Sequence, residues 1–227
     1  MRSFTVGGVP AVLWSPGATD RPLIFIGHGG GEHKTAPEIL RYAERFTAAG
    51  FAVVSADVPN HGDRPYDPGL DRKAGAMRAR VDAGENLAVA IAAFQDEVSR
   101  QTVGEWRAVL DHLGADRAGY WGVSLGCGLG VPFVAAEPRV RAAVLGLGGG
   151  SANAATAARI SVPVRFVIAW DDERIPRDNS LTLFDALGTP EKSLHAHPGG
   201  HSGPLPDHEL DAQVAFFGRH LSPHPQG

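Results

Sequence analysis

The stretch "YWGVSLGCGLG", residues 120–130, holds a serine between two glycines, directly after a run of strand-forming residues. Gly122-Val123-Ser124-Leu125-Gly126 fits G-x-S-x-G, a pattern that works where a strand turns straight into a helix. In that turn the serine takes a strained backbone, and side chains at the flanking glycines would clash. "GYWGV" reads as the strand and "LGCGLGVPFVAAE" as the helix, so the context is present. Ser124 Oγ is expected at the carboxyl edge of a sheet, with the N–H of Leu125 opening the helix beside it. A hydroxyl held there suits nucleophilic attack, provided a base takes its proton.

Ten histidines are available as that base. His201 stands out, because "HPGGHSGP" lies after the last predicted strand and before the last helix. Loops that follow parallel strands emerge on one edge of the sheet, so His201 can reach Ser124. The base in turn needs an orienting acid. "VRFVIAWDDERIP" ends a strand in Asp171-Asp172, and only one of two adjacent side chains can point toward His201. D-x-x-I-P, from Asp172 to Pro176, places Asp172 in the turn, which makes it the expected acid and Asp171 a loop or capping residue. Donors for a developing oxyanion are expected from "GHGGGEHK", residues 27–34, where glycines let the backbone approach a substrate. Gly30 is the expected donor beside Leu125, with Gly31 the second possibility. His28 and His61 read as anchors of their loops.

The elements that must position these residues alternate. "SFTV" and "AVLW" flank Gly7-Gly8 as a hairpin. "LIFIG", "FAVVSAD", "GYWGV", "AAVLGLG" and "PVRFVIAW" are apolar runs of the kind that form strands covered on both faces, and "KSLHAHP" is a last short strand. Helical segments separate them, among them "APEILRYAERFTAAG" and "DHELDAQVAFFGRHL". The pattern predicts one α/β domain over 1–227 with a mostly parallel sheet of about eight strands and helices on both faces. "DRPYDPGLDRKAG" reads as a polar loop. After it Leu87, Ile91, Phe94, Val98, Thr102, Trp106, Val109 and Leu113 keep helical spacing, with Gly84 and Gly104 as weak points. Residues 62–98 exceed what one crossover needs and are expected to form at most a small lid.

Composition narrows the classes. The chain has 227 residues, a net charge of −4 and one cysteine, Cys127. Acids and bases are interspersed, so no nucleic-acid or membrane partner is expected. The first residues carry no apolar segment of signal-peptide type, and a cytoplasmic protein, monomer or homodimer, is the default. His195 and His197 point to one face of their strand, which would suit a metal. Only His201 lies at ligand spacing from them, so no metal is expected. No G-x-G-x-x-G opens a helix after the first strands and no GK[ST] occurs, which removes dinucleotide and phosphate-loop readings.

HGGG, G-x-S-x-G, D-x-x-I-P and G-G-H-S, in this order, resemble the α/β-hydrolase superfamily from about Leu23 to the C-terminus. The short chain and the "DVPNHGDR" loop resemble compact dienelactone-hydrolase-like esterases and small acyl-peptidase-like hydrolases. Dienelactone hydrolases carry a cysteine nucleophile, whereas the elbow here holds Ser124, and Cys127 is expected to be a buried apolar residue. The resemblance implies hydrolysis of a carboxylic ester or lactone, a small-molecule substrate, by Ser124, His201 and Asp172 without a cofactor. An acyltransferase, a C–C hydrolase or a peptidase would use the same residues. A non-catalytic ligand-binding protein would keep the fold with the triad idle.

Overall fold

The computed structural model describes residues 1–15, 21–85 and 88–221, apart from the side chains of residues 81, 88–93, 95 and 96. β1 (Arg2–Val6) and β2 (Val9–Trp14) form the expected hairpin, and Gly7 and Gly8 both take the positive φ its turn demands. β3 (Leu23–Gly27), β4 (Ala52–Ala56), β5 (Ala118–Val123), β6 (Val140–Gly146), β7 (Val164–Ala169) and β8 (Lys192–His197) complete one eight-stranded sheet. Its order is β1-β2-β4-β3-β5-β6-β7-β8, antiparallel at the first two pairings and parallel from β4 onward.

The inner strands β3 to β7 are apolar on both faces because helices cover both. Along β3, Leu23 and Phe25 join one core while Ile24 and Ile26 join the other, as a period of two requires. α1 (Pro37–Ala48) and α7 (Asp207–Leu221) pack on the second face through Ile39, Phe46, Phe217 and Leu221. α3 (Ala88–His112), α4 (Leu125–Ala136), the short α5 (Ala154–Ala157) and α6 (Arg177–Ala186) cover the first. No helix among the described residues is long and apolar enough to cross a membrane.

Two expectations need correction. Residues 63–75 are not all loop, because α2 runs from Pro68 to Asp82. Proline suits a first helical turn, and Asp67 Oδ1 accepts the N–H groups of Gly69 and Leu70 at 2.7 and 3.2 Å, which caps it. The other correction is Gly104, which does not interrupt α3. Its neighbours Thr102 and Trp106 are fully buried, and that packing outweighs the weak helix propensity of one glycine. Gly84 does break the chain, at φ +77 just after α2. Leu87 lies outside the described residues.

Candidate active site

The site is built on the turn between β5 and α4. Ser124 adopts φ 53, ψ −119, a conformation that costs a non-glycine residue about 1–3 kcal/mol. Three bonds hold it there. The Ser124 N–H donates to the Gly146 carbonyl of β6 at 3.0 Å, and the Ser124 carbonyl accepts the N–H groups of Cys127 and Gly128. A methyl group at Gly126 would land on the carbonyl of Gly27 in β3, and one at Gly122 would meet the Gly126 backbone. Both glycines are therefore required by close approach. Tyr120 adds a bond from its buried hydroxyl to the Gly126 carbonyl at 2.6 Å.

His201 stands in the loop between β8 and α7, with its Nε2 2.9 Å from Ser124 Oγ. Its Nδ1 lies 2.8 Å from Asp172 Oδ2 and 3.0 Å from Oδ1. A carboxylate only accepts, so Nδ1 carries the proton and Nε2 is left to accept from the serine hydroxyl. His201 is buried, and the Asp172 side chain is only 5% exposed. Burial by itself would raise the Asp172 carboxyl. The bonds from His201 and from the N–H groups of Ile175 and Arg174 outweigh it and hold the group below its ordinary range. Asp172 Oδ1 accepts those two N–H groups at 2.8 and 2.9 Å, so the turn itself aims the carboxylate at His201. Asp171 points its side chain to solvent.

The glycine loop after β3 is fixed by two histidines. Buried His28 accepts the Val58 N–H at Nε2 and donates from Nδ1 to the Gly29 carbonyl. Burial, with a smaller push from the His61 ring, lowers its pKa to about 4. His61 lies 5.1 Å from that ring and accepts the Gly31 N–H at Nε2. Gly31 is therefore corrected as a second oxyanion donor, since its N–H is already spent. The Gly29 N–H goes to Glu32 Oε2 at 2.9 Å. Among the described residues, the N–H groups of Gly30 and Leu125 donate to no protein acceptor. A methyl group at Gly30 would sit 3.9 Å from Leu125 Cβ, so the two lie side by side.

Several supporting residues escaped the sequence reading. Glu173 Oε2 accepts the His201 N–H at 2.9 Å. Lys34 reaches Asp57 and Asp63 at 2.6 Å each, tying the glycine loop to the loop after β4. Glu32 acts on Gly29 from three residues away. The available signal was a charge directly following each glycine-rich or strand-end segment, as in "GGGEHK" and "WDDE". Cys127 is fully buried, and burial pushes its thiol up to about 12. His195 bonds the Ser193 hydroxyl and His197 the Pro198 carbonyl. Among the described residues no group of three histidine, cysteine or acidic side chains is placed to hold a metal.

Two clefts open at the site. One, about 160 Å³, is lined by Ser124, His201, Gly30, Tyr42 and Arg174. The other, about 290 Å³, lies past Leu125 and is walled by Val58, Leu70, Ala74, Phe94 and Val98. α2 and α3 thus form the far wall of the larger cleft.

No family model and no curated protein matches the chain. Solved structures do. A cold-adapted esterase from an Arctic intertidal metagenomic library, bound to polyethylene glycol, is 31% identical with a TM-score of 0.73, over 97% of this chain and 93% of that one. Est1E from Butyrivibrio proteoclasticus, with ferulic acid bound, is 16% identical at a TM-score of 0.72, over 97% of this chain and 99% of that one. A dienelactone hydrolase from Anabaena variabilis is 19% identical at 0.68, over 97% of each chain. The last two share the fold, whereas the first shares sequence along nearly the whole chain as well. With the eight-stranded sheet and the G-x-S-x-G turn between β5 and α4, this likeness makes the chain a member of the α/β-hydrolase superfamily and a hydrolase of that fold.

Proposed function

We propose that the chain is a serine carboxylesterase that cleaves small to medium acyl esters or lactones through an acyl-enzyme. The observation that carries this reading is the hydrogen-bonded line from Ser124 Oγ through His201 to Asp172. His201 Nε2 takes the Ser124 proton as Oγ attacks the carbonyl carbon, and Asp172 steadies the imidazolium that forms. The N–H groups of Gly30 and Leu125 receive the oxyanion. His201 then gives its proton to the departing alkoxide, and water, deprotonated by His201, releases the acid from Ser124.

The same geometry orients the ester. A leaving oxygen that takes a proton from His201 must lie on the His201 side, in the smaller cleft. The oxyanion lies between Gly30 and Leu125, which leaves the larger cleft past Leu125 for the acyl group. Val58, Leu70, Phe94 and Val98 there suit an apolar acyl chain, on a wall that Asp71 and Arg78 share.

Initial rates on p-nitrophenyl esters and lactones of graded size test the reading. Turnover is expected in the wild type, with kcat reduced by ~10⁴ or more and fluorophosphonate labelling abolished in Ser124→Ala. Labelling that survives in the variant would refute the nucleophile, and turnover of none of the panel would refute the substrate class.

A further inference from the structure

We infer that His61 and Glu32 are positioning residues that leave Gly30 as the one oxyanion donor of the glycine loop, an inference that rests on the esterase reading above. Gly29, Gly30 and Gly31 carry three successive N–H groups in a loop that lines the two clefts. A flexible triglycine segment could rotate any of them toward a substrate oxygen, or none. Here two are already bonded. The Gly29 N–H donates to Glu32 Oε2 at 2.9 Å, and the Gly31 N–H donates to His61 Nε2 at 3.2 Å.

The His61 acceptor is set by a second bond. Its Nδ1 lies 2.8 Å from the Pro59 carbonyl, which can only accept, so Nδ1 holds the proton and Nε2 presents a lone pair. His61 comes from the loop after β4 and Glu32 from the end of the glycine loop, so they hold the segment from two sides. The Gly30 peptide between them is held on both sides, and among the described residues its N–H meets no protein acceptor, with Leu125 beside it. Preorganised donors stabilise a transition state because they need no reorientation when charge develops. His61 and Glu32 also line the larger cleft, so the test uses an acetyl ester, whose acyl group is too short to fill it.

The test compares an aryl acetate with its thiono analogue, in which C=S replaces C=O, because a donor placed for oxygen serves sulfur poorly. In His61→Ala, kcat for the oxygen ester is expected to fall about tenfold to a hundredfold with KM within about twofold of wild type. The thiono rate is expected to fall less than about threefold, so the oxygen-to-sulfur ratio collapses. His61→Gln, whose amide oxygen can accept the Gly31 N–H, should recover to within about fivefold of wild type. Glu32→Ala should give the same split from the other side of the segment, and Glu32→Gln should stay near wild type. Thermal melts run beside the kinetics separate loss of fold from loss of donor. An equal fall for both esters in His61→Ala and Glu32→Ala, or an unchanged kcat for the oxygen ester, would overturn the positioning role. Persistent turnover in Ser124→Ala would instead overturn the esterase reading, whatever His61 does.

Discussion

Asp171 and Asp172 sit side by side at the end of β7, yet only one of them meets His201. Asp172→Asn keeps the size and loses the charge that supports His201, so kcat is expected to fall by roughly 10³ to 10⁴. Asp171→Asn should cost at most about tenfold, since that side chain faces solvent. Steady-state kinetics on the two variants decides the matter. The reverse order of losses would make Asp171 the acid. This distinction was legible in the sequence because the turn is local: D-x-x-I-P lets Asp172 accept the N–H groups two and three residues on. Ser124 and His201 were legible for a similar reason, each lying in a glycine-rich loop with a defined place in the strand order. Gly31 was misjudged because its N–H is taken by His61, which lies thirty residues away along the chain. Spacing carries no trace of such a contact. Glu173 and Lys34 likewise meet partners 28 and 23 residues away, whereas Glu32 bonds Gly29 locally and was marked only by its charge directly after the glycines.

At the level of elements, the long apolar strands were the plainest signal, since burial on both faces leaves no polar alternation to confuse the reading. α2 was the failure. Its described residues include none that is buried, so no apolar stripe marked it as a helix. Its surviving cues were Pro68 and the cap from Asp67. Leu70 packs partly against the core, and the Lys73–Glu97 ion pair to α3 is exposed on both sides and therefore weak. An element so lightly held can vary its packing at small cost, which suits the wall of a substrate cleft. Phe94 of α3 is half-buried and lines the larger cleft. Phe94→Ala should therefore raise kcat/KM for longer acyl chains relative to acetate by about tenfold, while leaving the ranking of leaving alcohols unchanged. Rates on two crossed series, acyl length at fixed alcohol and alcohol size at fixed acyl, check this. A shift along the alcohol series instead would mean that the acyl group occupies the His201 side.

Across the whole molecule, buried charges tie separate layers together and set its response to acid. Arg165 on β7 and Glu209 on α7 form a buried two-bond pair at 2.8 and 2.7 Å. Gln213 extends it, donating to Glu209 and accepting from the Trp121 indole on β5, the strand that leads into Ser124. Burial would raise the Glu209 carboxyl, but Arg165 and Gln213 more than offset this and hold it below its ordinary 4.5. Asp57 is likewise held low beside Lys34, once its own burial is outweighed. Groups with depressed folded values stabilise the fold above the unfolded value, and that stability is lost as pH falls through the folded value. His28 acts earlier. Its unfolded value of 6.5 drops to about 4 in the fold, so the unfolded chain takes up the proton first as pH falls. About 3 kcal/mol of stability should disappear between pH 6.5 and pH 4 on this account, before the carboxylates add their own losses below. Glu209→Gln tests the second stage. It keeps a hydrogen-bonding amide of the same size and leaves the Arg165 charge buried without a counterion, so stability at pH 7 should drop by roughly 3 kcal/mol. For a chain of this length that corresponds to a fall in Tm of roughly 6–12 °C. The variant should also lose less stability than wild type below pH 4.5, because the titrating group is gone. Denaturant unfolding at a series of pH values reads both effects, and a variant with wild-type stability at pH 7 and an unchanged acid limb would show that this pair does not hold α7 to the sheet.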